Sequence, residues 1–125
     1  MNEKTVLVVD DDEVFVLAVS AVLKTRYRVL SARNGPEAHQ LVHDENPDCI
    51  ILDVMMDYLS EGFDIARRLR QNPATTRIPI LMLTGVDKVY NLRMEVEDSW
   101  VTVDRYLAKP VEPAALLQTV DDLVG

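Results

Sequence analysis

A chain of 125 residues with 48% hydrophobic residues and a formal net charge of −8 builds one core and fits one domain over 1–125, which excludes a disordered acidic segment. The acidic balance argues against direct nucleic-acid contact, which needs a basic footprint. No run of about 18 apolar residues occurs, no secretory pattern precedes the first apolar run, and the single Cys49 rules out an intrachain disulfide, so the expectation is a cytoplasmic protein with no membrane partner.

The apolar run Val6-Leu7-Val8-Val9 reads as a buried parallel strand and ends in three carboxylates, Asp10, Asp11 and Asp12. A helix is predicted over 13–25, with Phe15, Ala18, Val19, Val22 and Leu23 on one side. A second strand follows over 27–31, interrupted by Arg28. Gly35-Pro36 opens a helix to Glu45, since proline suits a first turn. Asn46-Pro47 stops it and introduces a third strand over 48–53, whose run Cys49-Ile50-Ile51-Leu52 again ends in a carboxylate, Asp53. Inside that run Cys49 reads as a buried, inert thiol.

Residues 54–61 read as a loop and 62–72 as a helix that Pro73 terminates. A fourth strand is predicted over 78–84, a helical stretch over 87–99, and a fifth strand over 103–107 that includes Asp104 and Arg105. Pro113 sits in the first turn of a last helix carrying Leu116, Leu117, Val120 and Leu123.

Five βα units with short connections give an α/β doubly wound parallel sheet. The first, third and fourth strands are almost wholly apolar, whereas the second and fifth carry charges. The charged strands are therefore placed at the edges, in the flavodoxin-like (βα)5 strand order 2-1-3-4-5. In that order the first and third strands are neighbours at the switch point, and ligands bind in the crevice beyond the strands' carboxyl ends. Asp10, Asp11 and Asp53 converge there. Asp12 is assigned instead to the helix N-terminus, where its charge suits the dipole.

Converging carboxylates repel one another unless a cation relieves them, and an all-oxygen set suits a hard ion such as Mg²⁺. Thr84 and Lys109 fall at the carboxyl ends of the fourth and fifth strands, where a hydroxyl and an ammonium can hold phosphoryl oxygens. This is the composition of a phosphoryl-transfer site, with a carboxylate nucleophile that forms an acyl phosphate.

The stretches Val8-Val9-Asp10-Asp11, Ile51-Leu52-Asp53-Val54-Met55-Met56, Met82-Leu83-Thr84-Gly85 and Tyr106-Leu107-Ala108-Lys109-Pro110 resemble the receiver domain of bacterial two-component response regulators, in order and approximate spacing over essentially the whole chain. The resemblance implies that Asp53 accepts a phosphoryl group from a phosphohistidine on a sensor histidine kinase or a histidine phosphotransfer protein. It implies Mg²⁺ held directly by Asp11, with Asp10 acting partly through water, and by Asp53 and the carbonyl of Met55. Lys109 would pair with Asp53 and then with the phosphoryl group, Thr84 would swing inward, and Tyr106 would follow by burying its ring. The implied protein is a switch rather than an enzyme acting on other substrates. Its readout by a downstream output protein or domain uses the face of the 87–99 helix, the fifth strand and the last helix.

Asp57 stands where receivers commonly carry proline, and the spacing from Thr84 to Lys109 is 109 − 84 = 25 positions, roughly three more than usual, which places an insertion between Val86 and Asp104. Trp100 and Tyr90 in that stretch read as partly buried core, with anchoring of a partner as the functional alternative. Val86 and Met55, both apolar, would flank the phosphoryl position and hinder attacking water. His39 and His43 read as a solvated face despite their i,i+4 spacing, and so do Arg67, Arg68 and Arg70. Three rivals remain: a magnesium phosphatase with an aspartyl-phosphate intermediate, a flavin or nucleotide module, and a receiver-like interaction module that is never phosphorylated. Met55 at the phosphatase's second-carboxylate position disfavours the first, and the missing Gly-rich loop the second. The intact Asp53, Thr84 and Lys109 disfavour the third.

Overall fold

The computed structural model describes residues 3–53, 59–85 and 104–125, with side chains described for 3–52, 65–83 and 104–125. Its elements, in chain order, are β1 (Thr5–Val9), α1 (Glu13–Leu23), β2 (Arg28–Ala32), α2 (Gly35–Glu45), β3 (Cys49–Asp53), α3 (Leu59–Gln71), β4 (Ile80–Gly85), β5 (Arg105–Lys109) and α4 (Pro113–Val124). The five strands pair in the order β2-β1-β3-β4-β5, all parallel. The polar strands β2 and β5 are the edges, as their charges require.

The apolar runs are buried on both faces because alternate residues serve two separate cores. Leu7, Val9, Ile50, Leu52, Ile80 and Met82 pack with Ala38 and Val42 of α2 and with Ile65, Ala66 and Leu69 of α3. Val6, Val8, Cys49, Ile51, Leu81 and Leu83 pack on the opposite face with Val19 and Leu23 of α1 and with Leu116 and Val120 of α4. Burial pushes the Cys49 thiol up to about 12, helped by Asp104 and Asp48, so it stays protonated and inert.

Local chemistry sets the element ends. Asn34 caps α2 by accepting from the Glu37 N–H (2.9 Å), while the Glu37 carboxylate accepts from the Arg33 N–H (3.2 Å). Asn46 ends α2 in the left-handed region at φ 47°, where asparagine is tolerated. Between the α1–β2 turn and α4, Arg26 and the Tyr27 hydroxyl both donate to Asp121, and burial and that carboxylate hold the phenol well above its ordinary pKa.

Three expectations are corrected. The third helix begins at Leu59, not at 62, because a helix interior accommodates Gly62 at an intrinsic cost of only about 1 kcal/mol relative to alanine. The fifth strand runs from Arg105 to Lys109, not over 103–107. Asp104 precedes it, donating its N–H to the Ile80 carbonyl (3.0 Å) and accepting the Ile80 N–H (2.7 Å) on its carboxylate. On α1, Ala18 faces solvent, since the buried stripe is Val19, Ser20 and Leu23 with Phe15, Val16 and Val22 at its flanks. The predicted 87–99 helix lies outside the described residues.

Candidate functional site

The sheet register assembles the site. Val9 pairs with Leu52, Leu52 with Met82, and Met82 with Tyr106, so these four form one row across β1, β3, β4 and β5. One step further toward the carboxyl ends stand Asp10, Asp53, Leu83 and Leu107. Beyond them come the pairs Thr84–Ala108 and Gly85–Lys109. Neighbouring parallel strands are about 4.8 Å apart, so the backbones of Asp10 and Asp53 are adjacent at one sheet edge. Thr84 and Lys109 follow on the next two strands. Asp53 and Thr84 are placed here by backbone alone.

The three consecutive aspartates divide into different environments. Asp10 is 5% exposed, with Oδ2 buried, its N–H donating to the Ala32 carbonyl (3.0 Å), and Oδ1 accepting from the Asp12 N–H (3.0 Å). Asp11 is exposed. Asp12 caps α1, its Oδ1 accepting from the N–H groups of Val14 (3.1 Å) and Phe15 (3.3 Å). The assignment of Asp12 to the helix therefore holds, and the cap turns the chain so that Asp10 and Asp11 stay at the strand end.

Lys109 closes β5 as its last residue, rather than following the strand, and a cis peptide joins it to Pro110. Its Nζ lies 4.2 Å from the centroid of the Phe15 ring on α1. Tyr106 is half-buried against the core on the α2–α3 side. Among the described side chains no three His, Cys, Asp or Glu groups cluster closely enough to hold a metal by themselves. The expected ion set thus depends on Asp53 together with Asp10 and Asp11. Met55 lies outside the described residues, as do Asp57, Val86, Tyr90 and Trp100. The donors the fold does bring together, buried Asp10 and exposed Asp11 at a carboxyl strand edge, are oxygen only, which fits a hard divalent cation and no soft metal.

Two groups differ from the expected solvated surface. Arg70 is 18% exposed and donates to the carbonyls of Thr76 (2.9 Å) and Ile78 (2.8 Å) and to Asp104 Oδ2 (2.6 Å). His39 is half-buried at a groove of about 740 Å³ between α2 and α3, with its Nε2 enclosed, whereas His43 is exposed. Burial and then the nearby Arg68 hold the His39 pKa below its ordinary value. Sequence reasoning also missed Phe15 as a site neighbour. An aromatic one turn behind paired aspartates was the available signal.

The family model of the response regulator receiver domain matches residues 6–121. PhoB, the phosphate regulon transcriptional regulatory protein of Pseudomonas aeruginosa, is 36% identical over 118 residues, 94% of this chain and 50% of PhoB. The chain thus spans half the length of that relative. The protein PilH of the same organism is 33% identical over 125 residues, 96% of this chain and 97% of PilH. A crystal structure of the receiver domain of the P. aeruginosa sensor histidine kinase PA1611 superposes with a TM-score of 0.85 at 26% identity over 99% of each chain. That structure has a magnesium ion coordinated in its active-site cleft. The chain belongs to the response regulator receiver domain family. It is a CheY-like module of two-component signalling, and no described helix is long and apolar enough to cross a membrane.

Proposed function

We propose that this chain is the phosphoacceptor switch of a phosphorelay and works in the cytoplasm. A carboxylate oxygen of Asp53 attacks the phosphorus of a phosphohistidine on a sensor histidine kinase or histidine phosphotransfer protein. The P–N bond breaks as the new P–O bond forms, and the imidazole leaves as a neutral ring because its other nitrogen has taken a proton from solvent. The observation that carries this reading is the register that sets Asp10 and Asp53 side by side, with Thr84 and Lys109 on the next strands.

Asp10, Asp11, Asp53 and the Met55 carbonyl would hold Mg²⁺, which when bound neutralises charge on the carboxylates and phosphoryl oxygens. Lys109 would supply an ammonium to the same oxygens, and Thr84 a hydroxyl. Tyr106 then reports the modification to the face of the 87–99 segment, β5 and α4, where an output protein or domain reads it. The chain promotes its own phosphorylation and dephosphorylation and no other reaction.

Intact mass after incubation with acetyl phosphate tests this, with and without Mg²⁺, for wild type and Asp53→Asn. The expected result is a Mg²⁺-dependent gain of one phosphoryl group that Asp53→Asn abolishes. No gain from acetyl phosphate or from phosphorylated histidine kinases would reduce the chain to a phosphorylation-independent interaction module.

A further inference from the structure

Phe15 lies in the first turn of α1, and its N–H is bound by the Asp12 cap, so the acidic run that supplies Asp10 and Asp11 also fixes where this ring stands. The ring is half-buried at the margin of the α1–α4 core. Across the crevice edge, β5 delivers Lys109 opposite Gly85, and the Lys109 Nζ sits 4.2 Å from the Phe15 centroid. That is well inside the range of about 6 Å over which an aromatic quadrupole attracts a cation.

Lysine carries its charge on a long flexible stem, and a phosphoryl-transfer site works by having charge in place before the reaction. We propose that Phe15 is a positioning residue for Lys109: its ring holds the ammonium at the crevice edge so that incoming phosphoryl oxygens meet a placed cation. This rests on the phosphoacceptor reading above. An aliphatic side chain of similar size would fill the same core margin, so what the ring adds is electrostatic. Its loss acts on the rate of phosphorylation more than on the fold.

The test is a graded series at position 15: Phe15→Tyr, Phe15→Leu, and para-fluoro-, trifluoro- and pentafluorophenylalanine, which keep the ring's shape while draining its face of negative potential. Phosphorylation rates with acetyl phosphate are read together with the NMR shift of the Lys109 ε-methylene protons, which ring current displaces when the contact exists. The expected result is a rate about two- to fivefold lower for Phe15→Leu. Phe15→Tyr should be near wild type, the logarithm of the rate should fall steadily with fluorination, and the ε-methylene displacement should vanish in Phe15→Leu. A slow Phe15→Leu with a flat fluorination series would mean packing alone and would overturn the proposal, as would unchanged rates throughout. If wild type takes no phosphoryl group from acetyl phosphate or from phosphorylated histidine kinases while the displaced resonance is present, the acceptor reading fails and the positioning role falls with it. That outcome is distinguishable because the contact survives.

Discussion

Replacing Arg70 with methionine tests how the edge of the sheet that carries Lys109 is held in register. The guanidinium ties the end of α3 to the Thr76 and Ile78 carbonyls ahead of β4 and to Asp104 ahead of β5. Asp104 in turn binds the Ile80 N–H, so one carboxylate sets the start of both strands. Methionine keeps most of the stem's packing and removes all three bonds. The charged bond to the partly buried Ile78 carbonyl is worth roughly 1.5–3 kcal/mol. The ion pair, whose Asp104 side chain is 38% exposed, is screened to about 1 kcal/mol or less, and the exposed Thr76 carbonyl rehydrates at little cost. The expected loss is therefore about 3 kcal/mol. With about 2.1 cal/mol/K of unfolding entropy per residue over 125 residues, 1 kcal/mol corresponds to about 4 °C, so Tm should fall by about 11 °C. Calorimetry and urea titration of Arg70→Met, Asp104→Asn and the double variant measure both the loss and the coupling. A single-variant loss below about 1 kcal/mol, or additive effects of the two, would refute the view that this cluster sets the β4–β5 register.

Asp12→Ala should cost about 1 kcal/mol through loss of the α1 cap, read by urea unfolding, and should slow phosphorylation by loosening the helix start beside Asp10 and Asp11. His39 is held below its ordinary pKa of 6.5, so below that pH the unfolded chain takes up the proton first. Stability therefore falls as pH drops through the window just under 6.5 and levels off beneath the folded-state value. His39→Gln should flatten that part of the profile; an unchanged slope would show that other groups cause it. The phosphorylated form should persist for well beyond seconds in a phosphate-release assay, because apolar Met55 and Val86 replace side chains that could guide water. Substituting Val86 with glutamate should shorten that lifetime.

Much of the site was legible because its signals are local. Continuous apolar runs that end in aspartate announce buried strands and the groups at their tips, which is why the sequence alone puts Asp10, Asp11 and Asp53 at the tips of neighbouring strands. The edge positions of β2 and β5 followed from Arg28, Asp104 and Arg105 within otherwise strand-like segments. Less was visible where a boundary depends on a distant partner. Arg70 looked like one of three solvated arginines, since nothing nearby in the chain hints at Asp104, 34 positions away. His39 looked exposed for the same reason, its enclosure coming from the meeting of α2 and α3.

The sequence by itself determined the parallel α/β architecture, its strand order and the chemical character of its carboxyl edge, because burial periodicity and residue type are written along the chain. Tertiary structure alone decided that Lys109 lies within β5 opposite Gly85, and that Phe15 faces the Lys109 ammonium. Those facts depend on register and on helix rotation against the sheet, which are set by packing among segments far apart in the chain and carry no local signature.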